Sequence, residues 1–275
     1  MASVTFGIDN LAFDAQDRLF VSENADGLIY EILADGTTRA VNSGGMVAPG
    51  GVAVLPRADG GESVFVADMW SLREFDGSTG ESRSMAFPTK PATGSPDGEN
   101  LLLTAWLLGN NVLVWNPETG KALETYPDFA VPLNTIRFQG DLVVAELGTN
   151  SVVRASGEDP DQRVTLVEGL GVPAGLAATD DDLWVGDWAK GTVLQLVTDG
   201  QLLAEPVPVA TNLACPEGLA VASDGNLLVV ETSAGRLSHI NLETGQVSTV
   251  AKGLALGLEA TPATPPTRIF SGVAV

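Results

Sequence analysis

Apolar positions in this chain fall in short runs of four to six residues, and the pattern of runs repeats along the sequence. The clearest marker is a proline that opens the first run of a repeat, and successive prolines are 42, 41, 41 and 43 residues apart. Ile8 stands in the same register, 41 residues before the first of them. The marker prolines are Pro49, Pro91, Pro132, Pro173 and Pro216.

Each repeat contains four such runs separated by turn residues. The second run is the most regular: RLFVSE (18–23), SVFVAD (63–68), LLLTAW (101–106), DLVVAE (141–146), DLWVGD (182–187) and LLVVE (227–231). A turn with Gly or Asn follows, then a third run such as LIYEI or RLSHI, then a polar turn and a less regular fourth run. Four short runs joined by turns predict a meander of antiparallel strands.

No stretch shows a sustained apolar period of 3.6 residues, and Gly and Pro interrupt nearly every window of helical length. A parallel sheet with crossover helices is therefore excluded. A four-stranded unit cannot bury both faces alone, but copies packed around an axis can. The sequence predicts one all-β domain over residues 1–275, a β-propeller of about six four-stranded blades plus an incomplete closing unit.

The number of blades stays open at this point. ASVTF (2–6) matches a fourth strand, and GVAV (272–275) repeats the first-strand sequence at 51–54. The two ends are therefore expected to pair in a shared blade. That arrangement gives either a six-bladed ring with accessory strands or a seven-bladed ring with an incomplete blade.

The amino-acid composition limits the classes of partner that the protein is expected to bind. The chain has 35 acidic and 14 basic residues, a net charge of −21, which argues against nucleic acid and anionic membranes. A small-molecule substrate is expected instead, and nothing in the sequence predicts the oligomeric state. The first ten residues show no basic and apolar signal pattern, and there is a single cysteine, Cys215, so a cytoplasmic location is expected.

Two sets of polar residues are predicted to share one face, because the start of the first strand and the turn after the second strand open on the same side of a blade. Asp9, Asn10, Asn134 and Glu217 stand at first-strand starts. Their carboxylate and amide oxygens are the ligands that calcium prefers. Their alternative role is to cap turns through backbone hydrogen bonds.

An acid also ends the second strand in five of the six repeats, which favours a structural role. The pairs Asp9 with Glu23 and Glu217 with Glu231 are nevertheless candidates for an ionised carboxylate and a general base of raised pKa. The five acids are Glu23, Asp68, Glu146, Asp187 and Glu231, of which Glu146 and Asp187 are candidate substrate contacts.

Three tryptophans, Trp70, Trp106 and Trp188, fall in equivalent turns between second and third strands. Indoles on one rim would form an apolar wall for a ring-shaped or hydrophobic ligand. Packing between blades is the alternative for each. Trp115 and Trp184 lie inside strands and are expected in the core.

The segments CPEGLAVASDGNLLVVETSAGRLSHINLETGQ (215–246) and VPAGLAATDDDLWVGDWAKGTVLQL (172–196) resemble the senescence-marker-protein and gluconolactonase propellers. Related calcium-dependent phosphotriesterase-like, NHL-repeat and virginiamycin B lyase-like propellers share this resemblance. It implies a divalent cation, usually calcium, held by residues of EGP-, PNG- and PDG-like motifs. The matching positions here are IDN with Asp9 or Asn10, PLN with Asn134, and PEG with Glu217.

The preferred functional interpretation is metal-assisted hydrolysis of a lactone or ester. The cation would polarise the carbonyl, Glu217 would bind the cation and take part in catalysis, and Glu231 or Glu23 would serve as general base. A Ser-His-Asp triad is improbable because the chain has one histidine, His239. The alternatives are a non-catalytic NHL-type binding propeller, or an enzyme like virginiamycin B lyase, whose histidine has no counterpart here, or like strictosidine synthase.

Overall fold

The computed structural model describes residues 8–105, 109–254, 256 and 272–273. These residues form six four-stranded antiparallel sheets, each made of four consecutive strands. The predicted meander is therefore confirmed in all six repeats. The helical structure of the described residues amounts to one 3₁₀ turn, Thr232–Ala234, and none of their helices has the length and hydropathy to cross a bilayer.

The chain divides into two compact units, with sheets 1–3 in the first and sheets 4–6 in the second. The strands of the first unit are β1 Ile8–Phe13, β2 Leu19–Glu23, β3 Leu28–Ile32 and β4 Thr38–Ala40; β5 Pro49–Pro56, β6 Glu62–Asp68, β7 Ser71–Asp76 and β8 Ser82–Ala86; β9 Thr93–Asp97, β10 Asn100–Ala105, β11 Asn111–Asn116 and β12 Lys121–Tyr126.

The strands of the second unit are β13 Pro132–Phe138, β14 Asp141–Glu146, β15 Ser151–Ala155 and β16 Arg163–Val167; β17 Pro173–Ala178, β18 Leu183–Asp187, β19 Thr192–Thr198 and β20 Gln201–Ala210; β21 Pro216–Val221, β22 Leu227–Glu231, β23 Arg236–Ile240 and β24 Val247–Lys252. Within each unit the first strands pack on one another, β1 on β5 and β5 on β9, then β13 on β17 and β17 on β21.

The core lies between neighbouring sheets. Second strands are buried almost along their whole length, whereas fourth strands such as β8 are largely exposed. Trp184 is fully buried between sheets 5 and 6, and Trp115 is partly buried against a cluster of sheets 2 and 3, as expected for tryptophans inside strands.

Neighbouring first strands approach one another closely at glycine positions. A Cβ on Gly51 would lie 2.4 Å from the backbone nitrogen of Gly94, and one on Gly175 would lie 2.1 Å from the carbonyl oxygen of Glu217. No side chain fits at either position, so these glycines set the spacing of β5 to β9 and of β17 to β21. The predicted pairing of the two chain ends lies outside the described residues.

Candidate functional site

Five of the six first strands begin with a β-bulge. In sheet 1 the register runs from Ile8 opposite Glu23 to Leu11 opposite Val21, so one extra residue is inserted around Asp9 and Asn10. Sheet 6 repeats this around Glu217, between Pro216 and Leu219. A bulge interrupts the alternation of side chains and re-aims them. The candidate residues therefore sit where the pairing is irregular.

Asp9 is partly buried, and its carboxylate faces the next sheet of the same unit. A Cβ on Gly50 would lie 3.4 Å from Asp9 Oδ2, 2.7 Å from the carbonyl oxygen of Ala92 and 3.6 Å from that of Ala67. Within the described residues the carboxylate has no hydrogen-bond or ion-pair partner. Burial raises the pKa of the Asp9 carboxyl to about 6, because desolvation disfavours the charged form.

Asn10 has a local structural role. Its side-chain oxygen accepts the Leu11 N–H at 2.8 Å, and its own N–H donates to Ser22 Oγ at 3.1 Å. Ser22, which is buried, in turn donates to the carbonyl oxygen of Gly50 at 2.7 Å. Asn10 thus stabilises the bulge and links sheet 1 to sheet 2, while Asp9 beside it is left for other contacts.

Glu217 and Trp188 meet in the second unit. Trp188 Nε1 donates to Glu217 Oε1 at 3.0 Å, although the residues belong to different sheets. Glu217 is buried and Trp188 is partly exposed. A hydrogen bond to a carboxylate orients it. Of the candidate residues in this unit, the structure brings these two together directly.

Asn134 lies one residue beyond the bulge of sheet 4, opposite Ala145, and is partly buried. Its side chain has no hydrogen-bond partner within the part of the chain that the structure describes. Among the described residues, no three or more His, Cys, Asp or Glu side chains are grouped closely enough to hold a metal ion. Calcium takes six to eight oxygens, which amide groups, backbone carbonyls and waters also supply.

The acids at the ends of second strands bind backbone N–H groups. In sheet 1, Glu23 is fully buried and accepts the N–H groups of Ala25 and Asp26 at 2.7 and 2.8 Å. Both of its oxygens are therefore used by the turn that follows β2.

The other second-strand acids bind the segment that precedes the first strand of their own sheet. Asp187 accepts from Gly171 at 2.8 Å and from Val172 at 3.1 Å. Glu146 accepts from Ala130 at 2.7 Å and also binds the Thr149 hydroxyl at 2.9 Å. The same contact joins Asp68 to Val47 and Ala48.

Glu231 is fully buried, and Arg236 and Ser238 donate hydrogen bonds to its carboxylate. Arg236 donates from Nε and Nη2 at 2.7 and 2.8 Å, and Ser238 Oγ donates at 2.6 Å. Burial opposes ionisation, but the hydrogen bonds from Arg236, the Ala214 N–H and Ser238 hold the pKa of Glu231 below its usual value. The raised pKa expected of a general base is found at Asp9 and not at Glu231.

Trp70 and Lys90 form a cation–π contact in the first unit. Lys90 Nζ lies 4.8 Å from the centre of the Trp70 ring, and Trp70 is 50% exposed. The third predicted rim tryptophan, Trp106, lies outside the described residues. Lys90 was not among the residues that the sequence singled out. Its signal was its place directly before Pro91, the marker proline of the third repeat.

No protein-family model matches the sequence, and no curated protein sequence matches it. Solved structures do. Virginiamycin B lyase from Staphylococcus aureus is similar with a TM-score of 0.71 and 14% identity, over 90% of this chain and 85% of that one. A streptogramin B lyase has a TM-score of 0.70 and 11% identity, over 90% and 84% of the two chains. The WD40 repeats of RRP9 are similar with a TM-score of 0.66 and 13% identity, over 93% of this chain and 83% of that one.

At these identities the likeness shows the fold alone. With its six four-stranded antiparallel sheets, the chain is a six-bladed β-propeller. The predicted fold class is confirmed. The comparisons do not establish membership of the gluconolactonase group.

Proposed function

We propose that this propeller is a small-molecule hydrolase that opens a lactone or ester, with Asp9 as general base. The observation that carries the proposal is the Asp9 carboxylate. It lies in a bulge at the start of a first strand, faces Gly50, and has no partner within the described residues. Every second-strand acid, in contrast, is held by hydrogen bonds that serve its sheet.

The reaction needs one group that takes and returns a proton. Asp9 would accept a proton from water as the water oxygen attacks the ester carbonyl. The bond between the carbonyl carbon and the leaving oxygen then breaks, and Asp9 returns the proton to that oxygen. With a pKa of about 6, the carboxyl is about 90% ionised at pH 7 and still basic enough to take the proton.

Glu217 is proposed to bind a polar group of a ligand in the second unit. Its orientation is fixed by Trp188. Calcium, which the sequence resemblance implies, would polarise a carbonyl when bound. The proton transfers proposed here are those of the Asp9 carboxylate itself. Asp9, Asn10, Asn134 and Glu217 remain candidate ligands.

The test is turnover of a panel of γ- and δ-lactones and 4-nitrophenyl esters by the wild type and Asp9→Asn. We expect Asp9→Asn to lower kcat by about 10²–10⁴ with an unchanged circular-dichroism spectrum. Asp17→Asn is the matched control, because Asp17 is an exposed turn residue of the same sheet. Full turnover by Asp9→Asn would refute the assignment.

A non-catalytic binding propeller is the second candidate, and the second-strand acids favour it. Glu23, Asp187 and Glu231 all serve their own sheets, so regular carboxylates are no sign of chemistry here. In that case ligands would bind without turnover.

A lyase is less favoured despite the fold likeness. The single histidine, His239, pairs at 2.9 Å with Asp224 in the turn between β21 and β22, at the end of sheet 6 opposite Glu231. Product masses separate the two reactions, because hydrolysis adds one water and elimination adds none.

A further inference from the structure

Within the described residues, Lys90 has no carboxylate partner. Within the described residues its recorded contact is the Trp70 ring. The protein carries 35 acidic residues against 14 basic ones, and a lysine ammonium group without an acidic partner can pair with an anionic ligand. The side chains that do form ion pairs with acids are Arg18, Arg39, Arg57, Arg73, Arg83, Arg154, Lys190 and Arg236.

The segment that follows Lys90 and the Asp9 carboxylate both reach Gly50 in the first unit. The carbonyl oxygen of Ala92 and Asp9 Oδ2 lie 2.7 and 3.4 Å from the position that a Cβ of Gly50 would occupy, so they are neighbours across that glycine. Lys90 is two residues before Ala92, a Cα separation of at most about 7 Å.

Trp70 belongs to a third segment that reaches Gly50. The carbonyl oxygen of Ala67 lies 3.6 Å from the Gly50 position, and Trp70 is three residues further along, in the turn after β6. Met69 beside it is 45% exposed and Val47 is 67% exposed. Val47 is held at this turn because its N–H donates to Asp68 Oδ1 at 2.7 Å.

Two backbone features show that this arrangement is built into the turns. Met69 and Lys90 both have left-handed backbone conformations, with φ of 43° and 42°. Such conformations are strained for residues other than glycine and persist where the surroundings impose them. The turns thus hold an exposed indole and a lysine ammonium group in fixed register.

We infer that Trp70 and Lys90 select the substrate, favouring esters and lactones that combine an apolar body with a carboxylate. Trp70 contacts the apolar part and Lys90 pairs with the acid group. This inference rests on the proposed hydrolase function. The net charge of −21 does not prevent it, because charges more than about 8 Å away are largely screened at physiological ionic strength.

The experiment compares two esters of similar size that differ in one carboxylate, mono-4-nitrophenyl glutarate and 4-nitrophenyl butyrate. The wild type should show the higher kcat/KM for the acidic ester. Lys90→Met should lower the ratio of the two kcat/KM values about fivefold, as for a solvent-accessible ion pair. Lys90→Arg should retain the preference. Lys121→Met is the matched control, an exposed lysine on the fourth strand of sheet 3.

A binding measurement keeps this test independent of turnover. The corresponding anilides, glutaranilic acid and butyranilide, are titrated against the protein by quenching of tryptophan fluorescence. We expect the acidic anilide to bind more tightly than the neutral one. Lys90→Met should remove this difference, and Trp70→Ala should weaken the binding of both anilides. If the acidic anilide binds no better than the neutral one, or if Lys90→Met keeps the difference, the inference is wrong. If binding behaves as expected but no ester is cleaved, the hydrolase proposal fails and the recognition site stands.

Discussion

Trp188 donates its indole N–H to the Glu217 carboxylate at 3.0 Å, joining the turn after β18 to the bulge that opens β21. Glu217 is buried, so this donor replaces part of the water that the carboxylate lost on folding. The contact also fixes the indole at the turn. A residue predicted for binding and one predicted for catalysis are thus one structural pair.

Trp188→Phe should therefore destabilise the protein by about 1.5–3 kcal/mol, because it removes a hydrogen bond to a charged group. Urea unfolding of Trp188→Phe, Glu217→Gln and the double variant gives the coupling energy. We expect a coupling above about 1 kcal/mol. Additive effects of the two substitutions would show that the hydrogen bond contributes nothing to stability.

The sequence predicted the second strands to within one residue, for example β14 at Asp141–Glu146 and β22 at Leu227–Glu231. Their apolar runs are continuous because both faces are buried, so run length alone defines them. Repetition also indicated the structural role of the second-strand acids, as Glu23 shows through its hydrogen bonds to the following turn.

The division of roles between neighbouring acids could not be predicted. Asp9 has the raised pKa because of desolvation beside Gly50, and Glu231 has the lowered one because Arg236 and Ser238 reach it. Both effects depend on contacts between strands or sheets and on a bulge, which strand patterns do not encode. The contact of Lys90 with Trp70 depends in the same way on the backbone of two separate turns.

Glu231→Gln should destabilise the protein by about 1.5–3 kcal/mol, because it leaves Arg236, whose side chain is 34% exposed, without its charge partner. The folded-state pKa of Glu231 is lowered, so its contribution is complete above the unfolded pKa of about 4.3 and is lost as pH falls through the lower folded value. Urea unfolding at pH 7 and at pH 3 measures this. Glu243→Gln, in an exposed turn of the same sheet, is the control. Equal effects of the two variants would show that the ion pair does not stabilise the protein.

Calcium binding is predicted from the sequence resemblance through Asp9 or Asn10, Asn134 and Glu217. A ligand at 100 times its Kd stabilises the folded state by about 2.7 kcal/mol, a rise in Tm of about 5–10 °C for a chain of this size. Thermal unfolding with calcium chloride and with EGTA measures the difference, and Glu217→Gln should abolish it. Equal melting temperatures with calcium and with chelator would show that these residues do not form a calcium site.

The rate of hydrolysis should rise with pH through about 6, following ionisation of Asp9. The base must be deprotonated to take a proton, so kcat/KM should fall about tenfold per pH unit well below that value. A profile of kcat/KM between pH 4.5 and 8 tests the assignment. Glu23→Gln should leave the apparent pKa unchanged even where it lowers stability, and an apparent pKa that moves with Glu23 would transfer the role to that residue.

Asp9→Asn should make the protein more stable at neutral pH while it abolishes turnover. The pKa of Asp9 is raised from 3.8 to about 6, so the folded state binds this proton more tightly than the unfolded state does. Stability is therefore lost as pH rises between about 4 and 6, and the loss is complete above that range. Removing the charge should recover about 1–3 kcal/mol at pH 7.5, the range allowing for the partial exposure of Asp9. Urea unfolding of the wild type and Asp9→Asn at pH 4 and pH 7.5 measures this. A destabilised Asp9→Asn at pH 7.5 would mean that the ionised carboxylate has a stabilising partner, and that it is not held free for catalysis.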